Sequence, residues 1–259
     1  VNHLGLTIGS VVHPASSALV ATTGTFTGTL GVTGVLTTTA ATVFNGGFAS
    51  PNKSSVLVPD GTGDDDWAFK ISNLEATDGR SYGLKINAGS TTDEALLITD
   101  HDASNVLFKV LGNGAVTMPN QPAFQVKKNA AQNDFTENVT TVVTWETEVF
   151  DVGANFASNV FTAPVTGKYQ LNAHLLIENV DTAPAYYQLV LITGNRNYYD
   201  TVDPGAASAD YTYQSVNVNV LADMDAGDTA TVTIYQEPSG TTQSDLNATT
   251  SVFSGYLVA

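Results

Sequence analysis

The chain has 259 residues, 42% of them hydrophobic, which is enough apolar material for real cores and for one to three domains. Nine Lys plus Arg against 25 Asp plus Glu leave a net charge of −16, so phosphate backbones and anionic lipid surfaces would repel it, and neither nucleic acid nor a membrane is expected as a partner. The absence of cysteine excludes disulfides and thiolate metal sites.

The first segment, residues 1–48, is rich in Thr and Gly. Residues 23–40 read TGTFTGTLGVTGVLTTTA, with isolated apolar residues at Phe26, Leu30, Val32, Val35 and Leu36 and no charge. One copy of such a segment carries too little apolar surface to offset an ordering entropy of about 1–2 kcal/mol per residue. Contacts from outside the segment are therefore required. The one helix candidate is a short turn at PASSALV, residues 14–20.

Residues 49–120 alternate with period two in short runs: SVLVP (55–59), WAFKIS (67–72), SYGLKIN (81–87), ALLIT (95–99), NVLFKVL (105–111) and AVTM (115–118). Asp78-Gly79 and Asn113-Gly114 separate such runs, and both dipeptides suit tight hairpins because their residues tolerate positive φ. The expectation is a small antiparallel module whose core is thin for a freestanding monomer. Within it, DGTGDDDW (60–67) gathers Asp60, Asp64, Asp65 and Asp66 beside Trp67. A solvated turn, a calcium site on Asp60, Asp64 and Asp66, and a pair of catalytic carboxylates are three readings of this cluster. An EF-hand loop is not among them, because its Gly and Glu are missing.

Residues 121–259 carry the strongest strand signal. In KYQLNAHLLIEN (168–179), Tyr169, Leu171, Ala173, Leu175 and Ile177 line one face, and Gln170, Asn172, His174 and Glu178 the other. Val216, Val218 and Val220 repeat the pattern, as do Ala230, Val232 and Ile234. Turn clusters APVTG, DPG, AGD and EPSG between these runs indicate an all-β sandwich or jelly roll. His3, His13, His101 and His174 are isolated, and no nucleophile elbow, zinc-helix motif or phosphate loop occurs, so the chain reads as a binding protein and not an enzyme.

Five stretches in order, Ala123-Phe124, VFD (149–151), FTAPVTGKYQLN (161–172), DAGDTATVTI (225–234) and FSGYLV (253–258), resemble the globular head of complement component one q, within the tumour necrosis factor-like jelly-roll superfamily. LGLTIGSVVHPASSALVATTG (4–24), the TG-rich run after it, and ALLITDHDASNVLFKVLGNGAVTM (95–118) are similar to bacteriophage tail fibre sequence. No Gly-X-Y repeat precedes the head, which separates the chain from collagen-stalked relatives of the first family. Together the resemblances imply an elongated, intertwined trimeric β shaft followed by a jelly-roll head. They imply a homotrimeric virion fibre that joins other virion proteins at its N-terminal end and a host-surface glycan or protein at its head. No cofactor is required on this reading, with calcium the one cation the acidic cluster would take. A structural or decorating fibre, and a tailspike that cleaves polysaccharide, are the alternatives.

If the chain enters and leaves the head at one base, strand parity puts the turns near 179–184, 203–210 and 237–249 at the free apex. The residues there suited to recognition are Asp181, Thr182, Tyr186, Asp203, Ser208, Asp210, Tyr211, Ser239, Thr241, Asp245 and Asn247. Their carboxylates, amides and hydroxyls suit sugar hydroxyls, and the tyrosines offer stacking faces.

Overall fold

The structure is a computed structural model that describes residues 84–87, 90–241 and 243–259, with Leu74 and Ala76. The chain divides into two compact units, residues 1–83 and 84–259, and the second is the one described. The Thr/Gly-rich segment, the helix candidate at 14–20, the strands at 55–59 and 67–72, Asp78-Gly79 and the cluster of Asp60, Asp64 and Asp66 lie outside the described residues.

The regular elements among the described residues are strands and one 3-10 turn at Pro204–Ala206, which Asp203 caps by accepting from the Gly205 N–H at 2.8 Å. Three strands, β1 (Glu94–Thr99), β2 (Val106–Leu111) and β3 (Val116–Thr117), form an antiparallel sheet in the order β1-β2-β3. No residue of it is buried, and Leu96, Leu97, Ile98, Leu107 and Val116 stay 38–53% exposed. These three strands are only part of the 49–120 module, whose expected thin core as a whole lies outside the described residues. Its β2–β3 turn differs from expectation in one respect: only Gly114 adopts positive φ, at +86°. Asn113 instead uses its side chain, accepting from the Ala115 N–H at 2.9 Å, an Asx turn that needs no left-handed backbone.

The remaining strands build a two-sheet sandwich. They are β4 (Ala123–Lys127), β5 (Thr141–Val142), β6 (Thr147–Val152), β7 (Phe156–Ala157), β8 (Val160–Thr162), β9 (Gly167–Val180), β10 (Tyr187–Thr193), β11 (Asn197–Val202), β12 (Tyr211–Met224), β13 (Thr229–Gln236), β14 (Asp245–Leu246) and β15 (Val252–Leu257). One sheet runs β12-β9-β15-β4-β6 with β14 on β9; the other runs β11-β10-β13-β8-β7 with β5 on β13. The chain crosses between the sheets after β4, β5, β6, β8, β9, β11, β12 and β13, and every pairing is antiparallel. This Greek-key crossing is a jelly roll.

Period-two alternation sets which residues fill the space between the sheets. Tyr169, Leu171, Ala173, Leu175 and Ile177 of β9 are fully buried, as are Val216 and Ala222 of β12 and Ala230, Val232 and Ile234 of β13. Burial of a large apolar side chain of this kind contributes about 1.5–3 kcal/mol each. An aromatic cluster closes the end where the chain enters. Phe124 stacks on Phe161 at 4.5 Å and meets Phe253 edge-on at 4.9 Å, with Phe156 and Trp145 around them. Gly255 makes this approach feasible, since a Cβ there would lie 2.5 Å from Leu171 Cδ2 and 2.8 Å from Phe124 Cε1.

Candidate recognition site

The longest pairing, β9 with β12, runs from Gly167↔Met224 to Val180↔Tyr211. Fourteen residues at strand rise span roughly 45 Å, so the two ends of the sandwich are well separated. The chain enters and leaves at the Gly167 end. Lys168 N–H donates to the Ala259 carbonyl at 2.7 Å, and the Gln121 amide donates to the Leu257 carbonyl at 2.5 Å. The Val180 end is therefore the opposite end of the sandwich, its apex, and the turns at 179–184, 203–210 and 237–245 gather there.

Three carboxylates tie these turns to one another. Glu137 accepts from the Ser239 hydroxyl at 2.5 Å and from the Ser239 and Thr241 N–H groups at 2.8 and 2.9 Å. Asp181 accepts from the Thr241 hydroxyl, from the Ala183 N–H at 2.8 Å, and lies 2.8 Å from Ser239 Oγ. Asp210 accepts from the Thr182 N–H at 2.9 Å, the Thr182 hydroxyl at 2.8 Å and the Gln243 amide at 3.1 Å. The Ser239 hydroxyl and the two backbone N–H groups hold the Glu137 carboxyl below its usual value. Burial pushes the Asp181 carboxyl up, but the Thr241 hydroxyl and the Ala183 N–H outweigh it and leave it lowered. The Thr182 N–H and hydroxyl lower Asp210 in the same way. These groups are held ionised, which suits hydrogen-bond acceptors and not general acids.

Beside this clamp lies a cavity of about 470 Å³. Its walls are Asn179 at the end of β9, Asp210, Tyr211 and Thr212 at the start of β12, Gln243 and Asp245, and Asn133 and Asp134 from the segment between β4 and β5. Asp245 bridges two walls, accepting from the Asp134 N–H and the Asn179 amide, both at 2.8 Å. Asp134 and Asn179 sit in the left-handed region, with φ of +50° and +53°. Such geometry is tolerated by Asp and Asn and clusters at ligand-contacting positions.

Of the eleven residues singled out in the sequence, Asp210, Tyr211 and Asp245 line the cavity, and Asp181, Thr182, Ser239 and Thr241 hold its surroundings in place. Four stand apart from it. Tyr186 packs on Tyr235, with ring centroids 5.8 Å apart. Asp203 caps the 3-10 turn, and Ser208 is exposed beyond that turn. Asn247 caps its own turn, accepting from the Thr249 and Thr250 N–H groups at 2.8 Å and donating to Glu178 at 2.6 Å. Nor is 237–249 a detachable loop, because Ser244 and Leu246 are fully buried within it. His174, on the face of β9 away from the core, meets Asn217 Oδ1 at 2.5 Å through Nδ1.

Sequence reasoning missed Asn133 and Asp134. Their segment, NAAQNDFTEN (129–138), is polar or small except for Phe135, which plugs into the core edge-on to Tyr187 at 6.2 Å and so pins the segment over the apex. A single aromatic within a long polar run was the available signal. Among the described residues, no group of three or more His, Cys, Asp or Glu side chains is arranged to hold a metal ion.

No protein-family model and no curated protein matches the sequence. Solved structures do. The globular domain of zebrafish complement 1qA is 18% identical, covers 54% of this chain and 98% of its own, and superposes with a TM-score of 0.39. Murine APRIL is 15% identical, with 53% of this chain and 99% of its own covered, at a TM-score of 0.39.

Proposed function

We propose that the chain is a homotrimeric virion fibre of a bacteriophage, whose jelly-roll head adsorbs the virion to a host-cell surface through the apical cavity. The observation that carries this reading is the position of the cavity, a concave polar site at the end of the head farthest from where the chain enters and leaves. A fibre tip needs its binding residues there, and loops fixed on a rigid scaffold are where such residues reside.

Two further features support self-association. Apolar residues of the β1-β2-β3 sheet stay half-exposed within one copy and need a cover. The face of β9, β12 and β15 turned away from the core is nearly free of charge in a chain of net −16. Between the Lys168↔Asp223 pair and Glu178, it carries Gln170, Asn172, Asn217, Asn219 and Ser254 with Leu221 and Tyr256, the last two 57% and 50% exposed. Identical copies can meet on such a face without bringing carboxylates together. The number three comes from the resemblance of head and shaft to trimeric families.

Sedimentation equilibrium on the full chain, followed by adsorption of the labelled protein to a panel of bacterial strains, tests the reading. The expected mass is three times 27.1 kDa, with saturable adsorption to some strains. A monomeric mass overturns the trimer. A trimer that adsorbs to no strain leaves a structural fibre, and new reducing ends in host polysaccharide would mark a tailspike.

A further inference from the structure

The apical cavity distinguishes among saccharides by their charge, an inference that rests on the recognition reading above and deepens it. Its polar groups divide into two sets. Asp210 and Asp245 spend their oxygens on Thr182, Gln243, Asn179 and the Asp134 N–H, so they shape the cavity. The Asp134 carboxylate and the Asn133 amide are exposed in the cavity wall, and no hydrogen bond within the chain occupies either side chain among the described residues. A carboxylate acceptor and an amide that both donates and accepts, side by side, fit a pair of adjacent hydroxyls: one donates to Asp134 while the other bonds Asn133. The half-buried ring of Tyr211 supplies an apolar wall, its hydroxyl already donating to Gln214 at 3.1 Å.

Among the described residues, the wall of the same cavity holds three carboxylates and no Lys or Arg. A uronate, sialate or phosphate group placed there would meet like charge from three sides with nothing to neutralise it, and the rest of the chain adds to the repulsion. An ammonium group would gain from the same field. We propose that the apical cavity binds a non-anionic saccharide, neutral or amine-bearing, through adjacent hydroxyls on Asn133 and Asp134, and rejects acidic saccharides.

The test applies the full-length protein to an array of bacterial surface saccharides sorted as neutral, amine-bearing and acidic. Bound members should fall in the first two groups. Asn133→Ala should weaken them at least about tenfold, which is about 1.4 kcal/mol. Asp134→Asn keeps a residue that tolerates the left-handed backbone and keeps the N–H that Asp245 accepts, so it should leave folding intact. It should weaken neutral ligands and narrow the gap to acidic ones several-fold. Binding dominated by acidic members, or binding indifferent to both substitutions, overturns the proposal. So does saturable binding of oligolysine with no saccharide bound. If no array member binds but the protein still adsorbs to cells stripped of intact sugars by periodate, the saccharide class falls while host recognition stands. If neither array nor cells bind, both fall.

Discussion

Gly255 offers the sharpest test of how the head is packed. It lies in β15 directly between Leu171 of β9 and Phe124 of β4, with its missing side chain pointing into the core. In Gly255→Ala, the new Cβ would sit 2.5 Å from Leu171 Cδ2, 2.8 Å from Phe124 Cε1 and 3.2 Å from the Gln170 carbonyl. Carbon atoms pack at about 3.5–4.0 Å, so Leu171 has to retreat by about 1 Å within a fully packed row. Overpacking of this size costs about 1–3 kcal/mol, and removing a glycine from the unfolded chain gives back about 0.4–1 kcal/mol. The net expectation is a loss of about 1–2 kcal/mol. Urea unfolding followed by circular dichroism, at one fixed protein concentration, measures it. Leu171→Ala alone should cost about 2–5 kcal/mol. Combined with Gly255→Ala it should cost less than the sum by at least about 1 kcal/mol, since the cavity accepts the methyl group. Full additivity, or a Gly255→Ala protein as stable as the parent, would refute the account.

Tyr187 is fully buried, its hydroxyl placed 2.7 Å from Ser244 Oγ and 3.1 Å from both the N–H and the carbonyl of Asp181, and burial pushes its pKa up to about 12. Tyr187→Phe strands these partners and should lower stability by about 1–3 kcal/mol in the same unfolding assay. The apex clamp should loosen in acid. The carboxyls of Glu137, Asp181 and Asp210 are lower in the folded chain than their ordinary values of 4.5, 3.8 and 3.8, so their contribution is complete above those values and fades as pH falls through the folded ones. Hydrogen-exchange protection in 179–184 and 237–245, taken relative to the intrinsic amide rate at each pH, should fall as the pH drops below about 5 while β9 and β13 stay protected. Lys128, fully buried with its ammonium on Glu146 at 3.2 Å and on the Thr144 carbonyl and hydroxyl at 3.0 and 3.1 Å, should be costly to truncate. Glu146 is partly exposed and keeps the Asn129 N–H, so no buried charge is stranded, and Lys128→Ala should cost about 1–3 kcal/mol by the same measurement.

The head was legible where alternation and length act together. In β9 the odd positions 169–177 are apolar and the even ones mostly polar, and a register slip would expose the whole apolar row, so the sequence leaves one choice. Strand parity then located the apex turns. Lys128 was beyond reach, because Lys127 and Lys128 are adjacent and equivalent in sequence. Only the packing of Thr144 and Glu146, sixteen and eighteen residues away, makes one an exposed lysine and the other a buried one. The cavity was half legible for a similar reason. Its β12 wall follows from strand order, but the Asn133–Asp134 wall depends on where Phe135 docks, which is a tertiary fact.

Asparagine is poorly suited to strand interiors, yet Asn172, Asn217 and Asn219 occupy the middle of the two longest strands, with Asn219 directly opposite Asn172 and Asn217 opposite His174. Gln125 and Gln170 extend the same face. Within one copy these amides have few partners: Gln170 donates to Asn172, and Asn217 meets His174. Breaking a local preference this consistently points to a reward from outside the strand. Solubility alone would be served better by Lys, Glu or Thr. Amides differ from those in offering donors and acceptors without charge, so a second and third copy can satisfy them at close range. A face of carboxylates would forbid that approach, and a face of leucines would allow it in many registers. On the proposed fibre reading, the amide rows are what let a strongly acidic chain assemble with itself in one arrangement, leaving its carboxylates free to build the apex.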